Sequence, residues 1–158
     1  MHKAFYASGF LYNLKTQQIL LLQSPQADNA ASSWSMLGGE GQEGEDAQAT
    51  FQRVIHELLN VNLKMKHIYP VYDYFQETLD KVNYVFYAEV GRTLNFDPLK
   101  ESTLSWVTFA ETLKFLFSGQ TKQDVVVSER VIHLKERVDE ASKFSISLSS
   151  VAPLELST

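Results

Sequence analysis

The side chains best suited to chemistry lie close together in the chain, between residues 39 and 58. Glu40, Glu43 and Glu45 follow Gly39, and Glu57 stands near the end of a segment with helical spacing. Carboxylates are the ligands that hard divalent cations such as Mg2+ prefer, and such an ion can polarise a phosphoryl oxygen and activate a water. Three carboxylates at i, i+3 and i+4 on a helix share one face and could hold it together. On this helical segment Glu57 is acidic, but Val54, three residues before it, and Leu58, one after it, are aliphatic. These merge with Phe51, Ile55 and Leu59 into one widened apolar stripe. The face therefore reads as core, or as a greasy pocket floor, with a single carboxylate on it.

The element that carries Glu57 is the clearest in the chain. From Glu45 to Leu59, Ala47, Phe51, Val54, Ile55, Leu58 and Leu59 fall on one arc of a helix. Glu45 and Asp46 are expected in its first turn, where the helix dipole favours negative charge, and Asn60 and Asn62 are expected to end it. Upstream, residues 4–13 and 18–23 read as strands joined by a turn at Lys15-Thr16, followed by a polar loop over 24–33. Trp34 to Leu37 reads as a short strand running into Gly38-Gly39. Downstream, Lys64 to Glu77 and Lys81 to Val90 read as a hairpin through Thr78-Leu79-Asp80, and residues 91–102 as a loop. A short strand (Leu104 to Thr108), a short helix (Phe109 to Phe117) and an amphipathic helix (Val125 to Ala141) complete the pattern. Strands interleaved with helices make this an α/β chain with a mixed sheet between helices. One domain over 1–141 and a loosely docked or mobile tail over 142–158 are expected.

Read from Gly39, the chain runs GEGQEGEDAQATFQRVIHELLNV. This resembles the box of the Nudix hydrolase superfamily (MutT-like proteins), G-x5-E-x7-R-E-U-x-E-E-x-G-U, where U is a bulky aliphatic. Gly39, Glu45, Arg53, Ile55, Glu57 and Val61 match, six of nine defined positions, in register and without a gap. Val54 and Leu58 stand where two glutamates belong, and Asn60 where a glycine belongs. Trp34 before Gly38-Gly39, the Gly44-Glu45 pair, the strand YVFYAEV and the segment ESTLSWVTFAETL are also similar to the family's pattern.

The resemblance implies a Nudix-type α/β/α sandwich and a hydrolase acting on a nucleoside diphosphate linked to another moiety. It implies Glu57 as the catalytic carboxylate, and Glu57 with the Gly39 carbonyl as ligands to Mg2+ or Mn2+. It also implies a bracing salt bridge between Glu45 and Arg53. With one box carboxylate on the helix face, the ion would be weakly held and catalysis weak or rearranged. Glu40, Glu43 and Glu101 are the candidate substitutes, each also readable as a solvated surface side chain. The competing reading is a nucleotide-binding or sensing module on the same scaffold, without turnover. The tyrosines and phenylalanines between Tyr69 and Tyr87 offer a base-stacking surface on one reading and ordinary sheet packing on the other, which is favoured.

Composition sets the outer bounds. With 158 residues, 44% hydrophobic and 21% charged, the chain is long enough for one real core and too apolar for disorder. A net charge of -5, with Lys and Arg scattered, argues against a nucleic-acid partner; it leaves room for a small phosphorylated ligand, of the nucleotide type that the resemblance implies, if a metal offsets the charge. The absence of cysteine excludes disulfides, thiolate zinc sites and a Cys nucleophile. The longest aliphatic run, Ile19-Leu20-Leu21-Leu22, is far short of a membrane span, and a cytoplasmic location is expected. A homodimer is left open.

Overall fold

The computed structural model describes residues 4–24, 33–91, 103–115 and 117–150. Among these residues a mixed sheet forms around β1 (Phe5–Asn13), which pairs antiparallel with β2 (Gln18–Ser24) and, further along, with β4 (Leu37–Glu40). The short strand β3 (Ser33–Ser35) adds to β2. A helix, α1 (Ala47–Leu59), and a 3-10 turn (Met65–His67) lead to the antiparallel pair β5 (Ile68–Gln76) and β6 (Lys81–Val90). β6 returns parallel to β1, and β7 (Thr103–Thr108) lies antiparallel beside β2. Two further helices follow, α2 (Phe109–Thr112) and α3 (Gly119–Ser150).

The strands alternate between two cores, as the pleat requires. Ala7 and Leu11 of β1, Leu20 of β2, and Phe86 and Ala88 of β6 face Phe51, Ile55 and Leu59 of α1. Phe10, Tyr12, Ile19, Leu21 and Tyr87 face the other way, against Phe109, Val125 and Ile132. The expected α/β/α sandwich is thereby formed, with α1 on one side of the sheet and α3 on the other. No described helix is long and apolar enough to cross a membrane.

Several boundaries differ from the sequence reading, each for a local reason. Asp46 is the N-cap of α1, its side chain accepting from the Ala49 N–H at 2.8 Å, so Glu45 stands before the helix and outside its first turn. Asn60 closes α1 in the left-handed conformation, φ 56°, with its N–H bonded to the His56 carbonyl at 2.8 Å. Asparagine tolerates that conformation, which is how it fills a glycine position at a helix end. The stretch at Trp34 is broken at Met36 into two strands that pair with different neighbours, β2 and β1. The first strand of the hairpin begins at Ile68, because residues 65–67 form the 3-10 turn. The short helix stops at Thr112, while the last helix begins six residues earlier than Val125 and continues through Ser142 to Ser150. The expected loops fall largely on residues 25–32 and 92–102, and the end of the tail on 151–158; these lie outside the described residues.

Candidate functional site

The loop from Gly39 to α1 is organised by Arg53. Its Nε and Nη2 donate to the two oxygens of Glu45 at 2.7 and 3.1 Å. Its Nη1 meets both oxygens of Glu57 at 3.1 Å, one turn further along α1, and its Nη2 also donates to the Glu40 carbonyl at 2.7 Å. Glu45 accepts in addition from the Gln42 N–H at 2.9 Å and from the buried Thr50 hydroxyl at 3.0 Å. The Arg53 guanidinium holds the Glu45 carboxyl far below the usual range, at about 2, with the Gln42 and Thr50 bonds adding to it against a burial penalty. Such a planar fork joins a loop to a helix with fixed geometry, which a lysine could not do. Gly44 supplies the turn before Glu45 with φ +86°, a conformation open to glycine.

On the face where carboxylates would gather, the chain is closed by hydrocarbon. Val54 is 4% exposed. A Cβ built on Gly39 would stand 2.7 Å from its Cγ2, so the β4 backbone and the Val54 methyl are in direct contact. Leu58 is half-buried and packs on the same core. Glu57 is 57% exposed at the rim and is held by Arg53. Glu40 points the other way, its carboxylate 2.7 Å from the Lys81 ammonium, which lowers its pKa. Glu43 and His56 are exposed, and Glu101 lies outside the described residues.

These donors do not fit the metal site of a full Nudix box. Two of its ligand positions are aliphatic, and Glu57, Glu45 and Glu40 each already answer a cation of the protein. Among the described residues no three Asp, Glu or His side chains are grouped to hold an ion. The structure thus brings Gly39, Glu40, Glu45, Arg53 and Glu57 together, but as an ion-pair brace around one arginine.

A second feature was not read from the sequence. On the α3 side of the sheet a cleft of about 200 Å3 opens, with Ser8, Asn83 and Asp124 on its polar side and Met36 and Leu79 on its apolar side. Asp124 is 2% exposed and accepts from Tyr72 at 2.5 Å, Tyr74 at 2.9 Å and Gln120 at 3.1 Å. Tyr74 in turn accepts from Asn83, whose amide oxygen accepts from Ser8. Burial raises the Asp124 pKa, against the pull of its three donors, and burial beside this carboxylate raises those of Tyr72 and Tyr74. The adjacent glycines of β4 divide the two features: a Cβ on Gly38 would meet the Tyr6 ring beside the cleft, one on Gly39 would meet Val54. The available signal was an aspartate placed on the buried stripe of a helix, in line with Ser128 and Ile132. The other aromatics mostly serve packing: Phe86 and Tyr87 are core, Tyr84 meets Phe5 edge-on, and Tyr69 stacks on Tyr87.

The fold and the box define a class. The family model of the NUDIX domain matches residues 3–129, and the chain belongs to the Nudix family, whose members generally work with a divalent metal. Among solved structures, it is similar to a MutT/nudix family protein from Listeria innocua, with a TM-score of 0.63 at 14% identity, covering 87% of this chain and 99% of that one. The NUDIX domain of Shewanella oneidensis NrtR, solved with ADP ribose, gives a TM-score of 0.62 at 14% identity, covering 84% and 90%. The E. coli ORF135 protein gives 0.59 at 19% identity, covering 85% and 92%. At these identities the likeness is one of fold. No curated protein matches the sequence.

Proposed function

We propose that this chain binds a nucleotide-type ligand, a nucleoside diphosphate joined to another group, and that hydrolysis at its box is weak. The observation that carries this reading is the contact of Val54 with Gly39. In a working box the helix would present a carboxylate to a metal at that place; here a methyl group fills it. Losing one general base alone typically costs about 10²- to 10⁴-fold in rate, before any loss of ligands is added. The cleft beside Asp124 supports binding, since it joins an apolar wall to converging donors and acceptors. A structurally similar Nudix domain, that of Shewanella oneidensis NrtR, was solved with ADP ribose, a ligand of this class, which supports the reading. A sensing module without turnover is the limiting case of the same reading, favoured by the same contact.

The test is a panel of nucleotide sugars, dinucleoside polyphosphates and nucleoside triphosphates, with and without Mg2+ or Mn2+, followed by calorimetry and by product release. The expected result is saturable binding of at least one compound with slow turnover, weakened by Asp124→Asn and speeded by Val54→Glu/Leu58→Glu. Fast wild-type turnover that Glu57→Gln abolishes would overturn the claim of weak hydrolysis. Failure of every compound to bind would overturn the ligand class.

A further inference from the structure

Helix α3 does more than cover the sheet. Its first half is fastened there by Val125 and Ile132 in the core and by Asp124, and further along Glu136 accepts from the Tyr12 hydroxyl at 2.6 Å. Lys135 completes the attachment, lying over the Tyr69 ring and pairing with Glu89 and Asp139. Beyond that point the helix leaves the body: every residue from Arg137 to Phe144 is exposed, although the helix runs on to Ser150. Charged and polar side chains are what such a projecting, outward face should carry. This one carries Leu134, 60% exposed, Val138, 58%, and Phe144, 66%. Leu134, Val138 and Ala141, all exposed, continue at the alternating four- and three-residue spacing of a helix seam a line that begins at the part-buried Val127 and at Val131, which still packs on the core.

The charges beside this seam say what covers it. The exposed Arg130 and Arg137 border it on one side; on the other, Lys135 is already paired with Glu89 and Asp139, and Glu136 turns back to Tyr12. A second copy laid along the seam would set these cations against each other, and like charges across a helix pair are unfavourable. We propose that the outward face of α3 docks an amphipathic helix of another protein, one with an aliphatic seam bordered by glutamate or aspartate. Aliphatic seam residues supply the affinity in such pairings, and the flanking charges select the partner.

The probe is a synthetic four-heptad peptide with leucine at both seam positions and glutamate at the flanking positions, labelled and titrated with the full chain by fluorescence anisotropy. Its twin carries lysine in place of the glutamates. The acidic peptide is expected to bind, more weakly at high salt, and the lysine twin to bind at least about tenfold less well. Leu134→Lys/Val138→Lys should weaken binding at least about tenfold. Because both residues are exposed, the melting temperature should hold, which separates lost docking from lost folding. Arg130→Glu/Arg137→Glu should reverse the preference between the two peptides. Equal binding of the twins, or no binding of either, would overturn the proposal. So would a dimer in sedimentation that Val138→Lys dissolves, since the face would then be covered by its own copy.

Discussion

Gly39 of β4 and Val54 of α1 touch, with Val54 Cγ2 2.7 Å from where a glycine Cβ would be. The box of this protein is therefore shut at its centre by a side chain that continues the core. Valine is stiff at χ1 in a helix, so the methyl cannot easily swing aside. Gly39→Ala should destabilise by about 1–3 kcal/mol through overpacking. Val54→Ala should cost about 2 kcal/mol through lost burial and the space left behind. Combined, they should cost less than the sum by about 1 kcal/mol or more. With both Val54 methyls gone, the Val54 Cβ stands at an ordinary 3.8 Å from the added Cβ. Urea denaturation of the four proteins measures the coupling; strict additivity would mean that the contact is not made.

Arg53→Lys keeps the charge but loses the fork that reaches Glu45, Glu57 and the Glu40 carbonyl at once. A loss of about 2 kcal/mol is expected, because charge-assisted bonds to Glu45 would be broken or left single.

The Glu45 bond also sets an acid limit. Its carboxyl lies at about 2 in the folded chain against 4.5 for an ordinary glutamate, so the folded state binds protons less readily. Its stabilisation is complete above about pH 4.5 and is lost as the pH falls toward 2. Glu45→Gln should accordingly be less stable than wild type at neutral pH, with the gap narrowing as acid is added. A gap constant from pH 6 to 2.5 would contradict it.

Asp124 has the opposite sign. Burial raises its pKa, so the folded state holds the proton better than the unfolded chain does. Stability from this group declines as pH rises above the unfolded value of 3.8 and levels off once the folded group has ionised. Asp124→Asn should remove that decline, which a pH series of denaturation midpoints can follow. Asp124→Ala leaves the hydroxyls of Tyr72 and Tyr74 without their acceptor and should cost about 2–3 kcal/mol.

Gly9 sits where β1 runs parallel to β6, opposite Phe86. A Cβ there would stand 1.9 Å from the Phe86 carbonyl oxygen, which is backbone and cannot rotate away. Gly9→Ala should cost more than about 3 kcal/mol, because the strand pair itself must move, and should appear as low soluble yield or a sharply reduced Tm.

What could be read in advance follows from range along the chain. The periodicity of α1 lies within one helix, and the Glu45–Arg53 brace, which the family resemblance implied, spans only that helix and the turn before it. The order of strands and helices likewise pointed to a mixed sheet with helices on both sides. The Asp124 network was not legible, because Tyr72 and Tyr74 reach it across about fifty residues and nothing in either segment names the other. The end of α3 was misplaced for a different reason. Residues 142–150 are rich in serine and short aliphatics and read as a tail, so composition gave no sign that the helix continued.

The sequence by itself determined that this chain carries a Nudix box with one helix carboxylate, Glu57, and aliphatic residues at its two companion positions. Residue identity decides which atoms can ligate, whatever the fold does. Only the tertiary structure decided what those aliphatic positions do. β4 must lie against α1 before the Val54 methyl can seal the Gly39 backbone, and Arg53 must reach the Glu40 carbonyl before the brace closes. Only the same assembly brings the start of α3 over β5, where Asp124 is buried between two tyrosines beside the cleft. Contacts of that kind join segments far apart in the chain, so no local pattern of residues names both partners.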